Sequence, residues 1–298
     1  MNPVTLTAGP LTATFVPDVG MICSSLTHEG EELLGQRKGL EKYAETGSTM
    51  GIPLLYPWAN RLGGPEYEIG GRRARIDPDS PIVRTDANGL PIHGLVNASP
   101  HWTVLGVEPD NLVASLDFDA HAELIEQFPF PHSIAINATL TPDSLTIETA
   151  VGAYDDGSAV PLAFGWHPYL VLPGVPRADW HVEIPLTQRL VLDDRMIPTG
   201  EIEEVAPFSG PLGEHTFDDG YAGASPGTTF ALSGGGRRIE LELVRGYGYA
   251  QVYAPASEDA VCFEPMTAPT DALRSGLGLE LVEPDDTYNA FFAIRVTR

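Results

Sequence analysis

"HSIAINATLTPDSLTIETAVGAY", residues 132–154, decides the fold. Ile134, Ile136 and Ala138 alternate with polar or small neighbours, and Leu145, Ile147 and Thr149 repeat the pattern after Pro142-Asp143-Ser144. A period of two marks a strand with one face in a core, and Pro-Asp-Ser is turn chemistry. The stretch therefore predicts an antiparallel hairpin. The same pattern continues outward. "LTATFV" (11–16), "GTTFALSGGGRRIELELVRGYGYAQVYAPA" (227–256), "DAVCFEPM" (259–266) and "YNAFFAIRV" (288–296) all read as strands or strand–turn–strand units. Long amphipathic helical stretches, internal repeats and linker-like segments are absent from the sequence. One large antiparallel β-sandwich over residues 1–298, a single domain with long loops, is the expected architecture. "SGGGRR" (233–238) lies between two strands and lacks the Gly-Lys-Ser/Thr ending of a phosphate loop, so it reads as a hairpin turn.

Composition agrees. The 298 residues include 31 Gly and 27 Pro, which suit many short strands joined by turns. Lys and Arg number 17 against 41 Asp and Glu, a formal charge of −24. That balance argues against nucleic acid and anionic membrane surfaces as partners and suits a small neutral polar ligand. Cys23 and Cys262 are too few for a disulfide framework. The first twenty residues lack the basic and apolar segments of a signal peptide, and no stretch has the length of a membrane span. A cytoplasmic protein is expected.

Four stretches place polar side chains in apolar company. They are Asn60-Arg61 in "GIPLLYPWANRLGG" (51–64), His93 in "GLPIHGLVNASPHW" (89–102), His167 in "VPLAFGWHPYLVLPG" (160–174) and Glu264 in "VCFEPMTAPTDAL" (261–273). Each has a plain reading alone: a satisfied core histidine, a solvated strand-end glutamate, a turn cap. Together, each beside or near Gly or Pro, they suggest acid–base work on a neutral polar ligand. Two His and one carboxylate also describe a non-haem iron triad, although His93, His167 and Glu264 share no short ligand spacing. Glycoside hydrolysis needs a carboxylate pair, whereas the apolar-flanked groups here are mostly histidines. Trp58, Trp166 and Tyr169 flank the motifs, and each fits either a sugar-stacking platform or core packing.

In these motifs the sequence resembles the aldose 1-epimerase (galactose mutarotase) family. "GIPLLYPWANRL" resembles its Asn-Arg signature, "IHGLV" and "FGWHPYL" its two histidine motifs, and "CFEPMTAP" its glutamate motif, in the family's order. "TFDDGY" (216–221) resembles its Asp-x-x-aromatic element, with Tyr221 as the aromatic. Asp219 stands where the family often has His, which leaves Asp218 and Asp219 as alternatives. The resemblance implies a supersandwich fold and interconversion of the α and β anomers of a free aldose without a cofactor. It further implies Glu264 as the base at the anomeric hydroxyl and His167 as the acid at the ring oxygen. Asn60, Arg61, His93 and Asp218 would bind the monosaccharide. An ionised carboxylate beside a protonated imidazole is the expected resting couple. Two alternatives stay open: a hexose-6-phosphate 1-epimerase using Arg72, Arg73 and Arg75 of "GGRRARI", otherwise a hairpin strand, or a non-catalytic sugar-binding protein of the same fold.

Overall fold

The structure is a computed structural model that describes residues 1–155 and 157–298. The decisive stretch forms the expected hairpin. Strand His132–Leu140 pairs antiparallel with Ser144–Ala153, with Leu140 opposite Leu145 and Ile134 opposite Val151. Burial alternates residue by residue along His132–Leu140, as period two requires. The turn closes on Thr141, whose N–H donates to the Ser144 carbonyl (2.8 Å) and whose hydroxyl donates to Asp143 Oδ1 (2.7 Å). Ser144 therefore opens the second strand rather than closing the turn.

This hairpin lies within a nine-stranded sheet of the described residues. On one side stand Asn111–Asp117 and Thr103–Glu108. On the other stand Thr287–Thr297, Arg237–Arg245, Thr228–Gly234, His181–Ile184 and Phe208–Pro211, with every neighbouring pair antiparallel. The "GGG" stretch makes a two-residue hairpin loop, with Gly235 and Gly236 at φ of 59° and 81°. Only such left-handed pairs match the twist of a tight hairpin, and glycine reaches them without strain.

The second sheet has eight strands among the described residues. Its order is Pro198–Glu204, Gln188–Leu192, Phe217–Ala222, Tyr249–Ala254, Val261–Met266, Gly165–Trp166 and Leu54–Leu55, and Tyr169–Leu170 also pairs with Val261–Met266. The two sheets share one core. Trp166 meets Phe292 across it at 5.8 Å between ring centroids, and Phe263 stacks on Phe230 at 5.1 Å. Such ring pairs add about 0.5–1.5 kcal/mol each beyond their burial. The protein is thus an all-β, antiparallel β-sandwich, as the alternation predicts.

Val261–Met266 is buried at all six positions. Phe263 faces the core between the sheets, so Cys262, Glu264 and Met266 point the other way. There Cys262 packs with Tyr169 and Ala260, and Met266 with Leu55 and Ala59. Glu264 emerges between these two small apolar clusters. The helix Leu40–Thr46, which the sequence does not advertise, buries one residue, Tyr43, against Val16, Val19, Ile22 and Met50. Among the described residues no helix is long and apolar enough to cross a membrane.

Candidate active site

The Asn-Arg and first histidine motifs run side by side. Tyr56 bridges Gly94, Arg61 bridges Ile92, and the His93 N–H donates to the Asn60 carbonyl at 2.9 Å. Gly94 is obligatory: its φ is 76°, and a Cβ there would stand 2.0 Å from the Tyr56 carbonyl oxygen. Asn60 and His93 themselves adopt left-handed backbone, at φ of 56° and 65°. Asn and His tolerate that region better than most residues, and strain of this kind gathers at functional sites.

The second histidine and the glutamate meet by register. Gly165 pairs with Met266, and Tyr169 pairs with Cys262. The same register puts His167, in the break between two short strands, opposite Glu264. Their Nε2 and Oε1 atoms are 3.3 Å apart. Gly165 permits the approach, since a Cβ there would lie 2.5 Å from the Pro265 carbonyl oxygen. Pro265 does not end the strand as its position in the motif suggests; pairing continues through Met266.

One row further along the sheet, Gln251 stands opposite Glu264, and its Nε2 donates to Asp218 Oδ1 at 2.7 Å. Strand alternation separates the two candidate aspartates. Asp218 lines the same cavity as Glu264, whereas Asp219 points to Arg189, 3.6 Å away. Asn60, Arg61, His93, His167, Asp218 and Glu264 thus surround one cavity of about 170 Å³, completed by Ile92 and Tyr253. Arg61 is held by Asp86 (Nε–Oδ2 2.9 Å) and by Asn60 Oδ1 (2.9 Å). The other Asp86 oxygen caps its own turn, accepting from the N–H groups of Asn88 and Leu90.

Electrostatics corrects one expectation. Burial pushes Glu264 well above the ordinary carboxylate range, with repulsion from Asp218 adding and Arg61 opposing. Burial holds His167 well below the imidazole range, helped by His93 and Arg37. Burial, with Arg61 and Arg37, lowers His93 to about 3. Burial also raises Asp218, against Arg61 and Gln251. Burial thus disfavours the charged form of both Glu264 and His167, against the ionised carboxylate and imidazolium expected from ordinary values. Glu264 Oε2, His167 Nδ1 and His93 Nδ1 are buried without a hydrogen-bond partner in the protein, and a polyhydroxylated ligand suits such atoms.

Other expectations are revised as well. Tyr221 shares the Asp219 face and does not line the cavity; the aromatic that does is Tyr253. Trp58, Trp166 and Tyr169 are core residues, 2% exposed or less. The Trp166 indole donates to Thr149, and Tyr169 stacks on His167. Arg73 and Arg75 lie in a hairpin with Glu68 and Glu66, pair with them, and contribute nothing to the cavity wall. Arg72 donates to the Pro129 carbonyl and contacts Ser158. Among the described residues the His/Cys/Asp/Glu group whose ligand atoms converge within 4.8 Å is His101, His121 and Glu123, outside the cavity. There a His101–Glu123 contact of 2.7 Å and an imidazole stack account for the arrangement.

Sequence reading missed Asp86, Gln251 and Tyr253. Gln251 and Tyr253 occupy alternate positions of one strand and look like an ordinary outward face. Asp86 sits in "TDANG", which reads as a turn.

Comparison with known proteins agrees with this fold. A galactose mutarotase-like protein from Clostridium acetobutylicum superposes with a TM-score of 0.86 at 18% identity, over 99% of this chain and 95% of that one. An aldose epimerase homologue from C. elegans gives 0.80 at 17%, over 100% and 99%. Galactose 1-epimerase from Lactobacillus acidophilus gives 0.75 at 14%, over 99% and 94%. Among curated proteins, the uncharacterized protein YihR of Escherichia coli strain K12 is 23% identical over 98% of this chain and 92% of its own length. Residues 3–295 match the family model described as aldose 1-epimerase. With that match over nearly its whole length, the chain belongs to the aldose 1-epimerase family.

Proposed function

We propose that the protein interconverts the α and β anomers of a free aldose by acid–base catalysis, with Glu264 and His167 as the reacting pair. The observation that carries this reading is the 3.3 Å approach of His167 Nε2 to Glu264 Oε1 at the wall of a polar cavity. Mutarotation takes one proton from the anomeric hydroxyl and puts one on the ring oxygen. A pair that holds one proton can do both without net exchange with water.

In the resting pair that proton sits on Glu264. Transfer across the 3.3 Å gap leaves a carboxylate and an imidazolium, which sugar hydroxyls stabilise by hydrogen bonding to Oε2 and to the imidazole. Glu264 then takes the O1 proton while His167 protonates O5. The C1–O5 bond breaks, the aldehyde turns about C1–C2, and closure reverses both transfers. Asn60, Arg61, His93 and Asp218 hold the other oxygens, with Arg61 fixed by Asp86. Each proton transfer to or from a positioned group contributes roughly 10²–10⁴-fold.

An uncharged substrate fits best. The one cation among the described cavity residues is Arg61, already met by Asp86, while an ionised Asp218 would repel a phosphate. Proton NMR of freshly dissolved α-D-galactose and α-D-glucose tests the proposal. Equilibration should quicken in proportion to protein concentration, survive EDTA, and exceed that of the hexose 6-phosphates. Equilibration no faster than in buffer would favour the sugar-binding reading, and a preference for the 6-phosphates would favour the phosphate-sugar epimerase.

A further inference from the structure

Tyr169 does not line the cavity, yet its ring lies parallel to that of His167, with centroids 4.3 Å apart and planes inclined by 4°. Its hydroxyl is 3.2 Å from His167 Nε2 and 2.7 Å from Thr49 Oγ1. Arg37 holds this phenol. Its Nη1 donates to the Tyr169 hydroxyl (3.1 Å), the Thr49 carbonyl (2.7 Å) and Thr49 Oγ1 (3.1 Å), and its Cζ lies 4.9 Å from the Tyr169 ring centroid. Nη2 donates to Glu258 Oε1 at 2.6 Å. Arg37 achieves this from a left-handed backbone, φ 43°, which a non-glycine residue adopts only when its surroundings impose it.

We propose that Arg37 is a positioning residue that holds Tyr169 against His167 and keeps the protonated His167 a strong acid. A guanidinium does not deprotonate, so it permanently fills one acceptor site of the Tyr169 oxygen. Thr49 Oγ1 also accepts from Arg37, so its own proton is free for the Tyr169 oxygen. The phenol is thereby pinned against the face of the His167 ring, its oxygen 3.2 Å from Nε2. The fixed positive charge also disfavours the imidazolium, so His167 becomes a stronger acid once protonated. His167 is faced as well by Glu264, His93 and Tyr253, with Arg61 and Asp218 across the cavity and Cys262 on the facing strand. None of these is changed by substituting Arg37, and the released Glu258 pushes His167 in the same direction as loss of the cation.

The inference rests on the proposed mutarotase reading for its catalytic consequence but not for its titration. The experiment compares wild type, Arg37→Gln and Arg37→Lys by pH–rate profile and by NMR of labelled His167. Arg37→Gln should move both limbs of kcat/KM to higher pH by about one unit, lower kcat about tenfold and leave KM within about threefold. The His167 pKa should rise in parallel. Arg37→Lys keeps the charge and should restore the limbs. Unmoved limbs and an unchanged His167 titration in folded Arg37→Gln would overturn the proposal. A shifted His167 titration in a protein that equilibrates no aldose would support Arg37's role while rejecting the mutarotase reading.

Discussion

Glu264 faces His167 across paired strands at 3.3 Å, and burial disfavours the charged form of both. The pH dependence should therefore belong to the pair rather than to either residue. Below the acid limb the imidazole gains a second proton, at a pH well under its ordinary 6.5. Above the alkaline limb the carboxyl loses the last proton, at a pH well over its ordinary 4.5. Both limbs move outward, so kcat/KM should stay flat over a window wider than the one between the two ordinary values. A narrow bell centred between the two ordinary values would show an unperturbed carboxylate and imidazole instead.

The raised carboxyl has a cost for stability. Its folded-state pKa lies above the unfolded one, so its contribution is most favourable below the ordinary carboxylate value. That contribution is lost as pH rises through the folded value. Glu264→Gln removes the ionisation. Its stability relative to wild type should increase from pH 4 towards pH 8, measured by urea melts at each pH, each tenfold gain in equilibrium constant being about 1.4 kcal/mol. A difference constant with pH would mean that Glu264 titrates normally.

Asp218 and Asp219 are neighbours in sequence and opposed in space. Asp218→Asn should lower kcat/KM about 10- to 100-fold, since a cavity-lining acceptor is altered. Asp219→Asn, beside Arg189, should stay within about threefold. Steady-state rates of the two variants decide the matter, and equal losses would contradict the assignment of faces.

Gly94→Ala tests the scaffold. Its Cβ would press on the Tyr56 carbonyl at a φ of 76°. The substitution should cost about 2–4 kcal/mol, visible in the thermal midpoint. Gly70→Ala, in an open hairpin turn where a Cβ meets nothing within 4 Å, isolates the cost of positive φ and should lose about 1 kcal/mol. Equal losses at the two positions would remove the argument for close approach at Gly94.

The sandwich is legible in the sequence because most of its strands bury one face, so Ile134, Ile136 and Ala138 announce themselves by period two. Exposed strands such as Thr103–Glu108 carry no such signal: Val104, Leu105 and Val107 face solvent. The polar residues of the site stand out singly because Gly, Pro and apolar neighbours surround them. Their mutual placement is not legible. That His167 meets Glu264 depends on the register of Gly165 with Met266, a long-range pairing that no local pattern encodes. The protonation of the pair is hidden too, since it follows from burial rather than residue type. Asp86 supports Arg61 from a turn whose composition explains itself without a partner.

The most direct test is Glu264→Gln, assayed by NMR for the approach of a freshly dissolved α-aldose to its anomeric equilibrium. Glutamine keeps the shape and most hydrogen bonds of the side chain but can neither hold nor take the proton. The account predicts a folded protein that binds sugar within about tenfold of wild type and loses at least ~10²-fold in kcat. A folded, sugar-binding Glu264→Gln that equilibrates the anomers near the wild-type rate would contradict it.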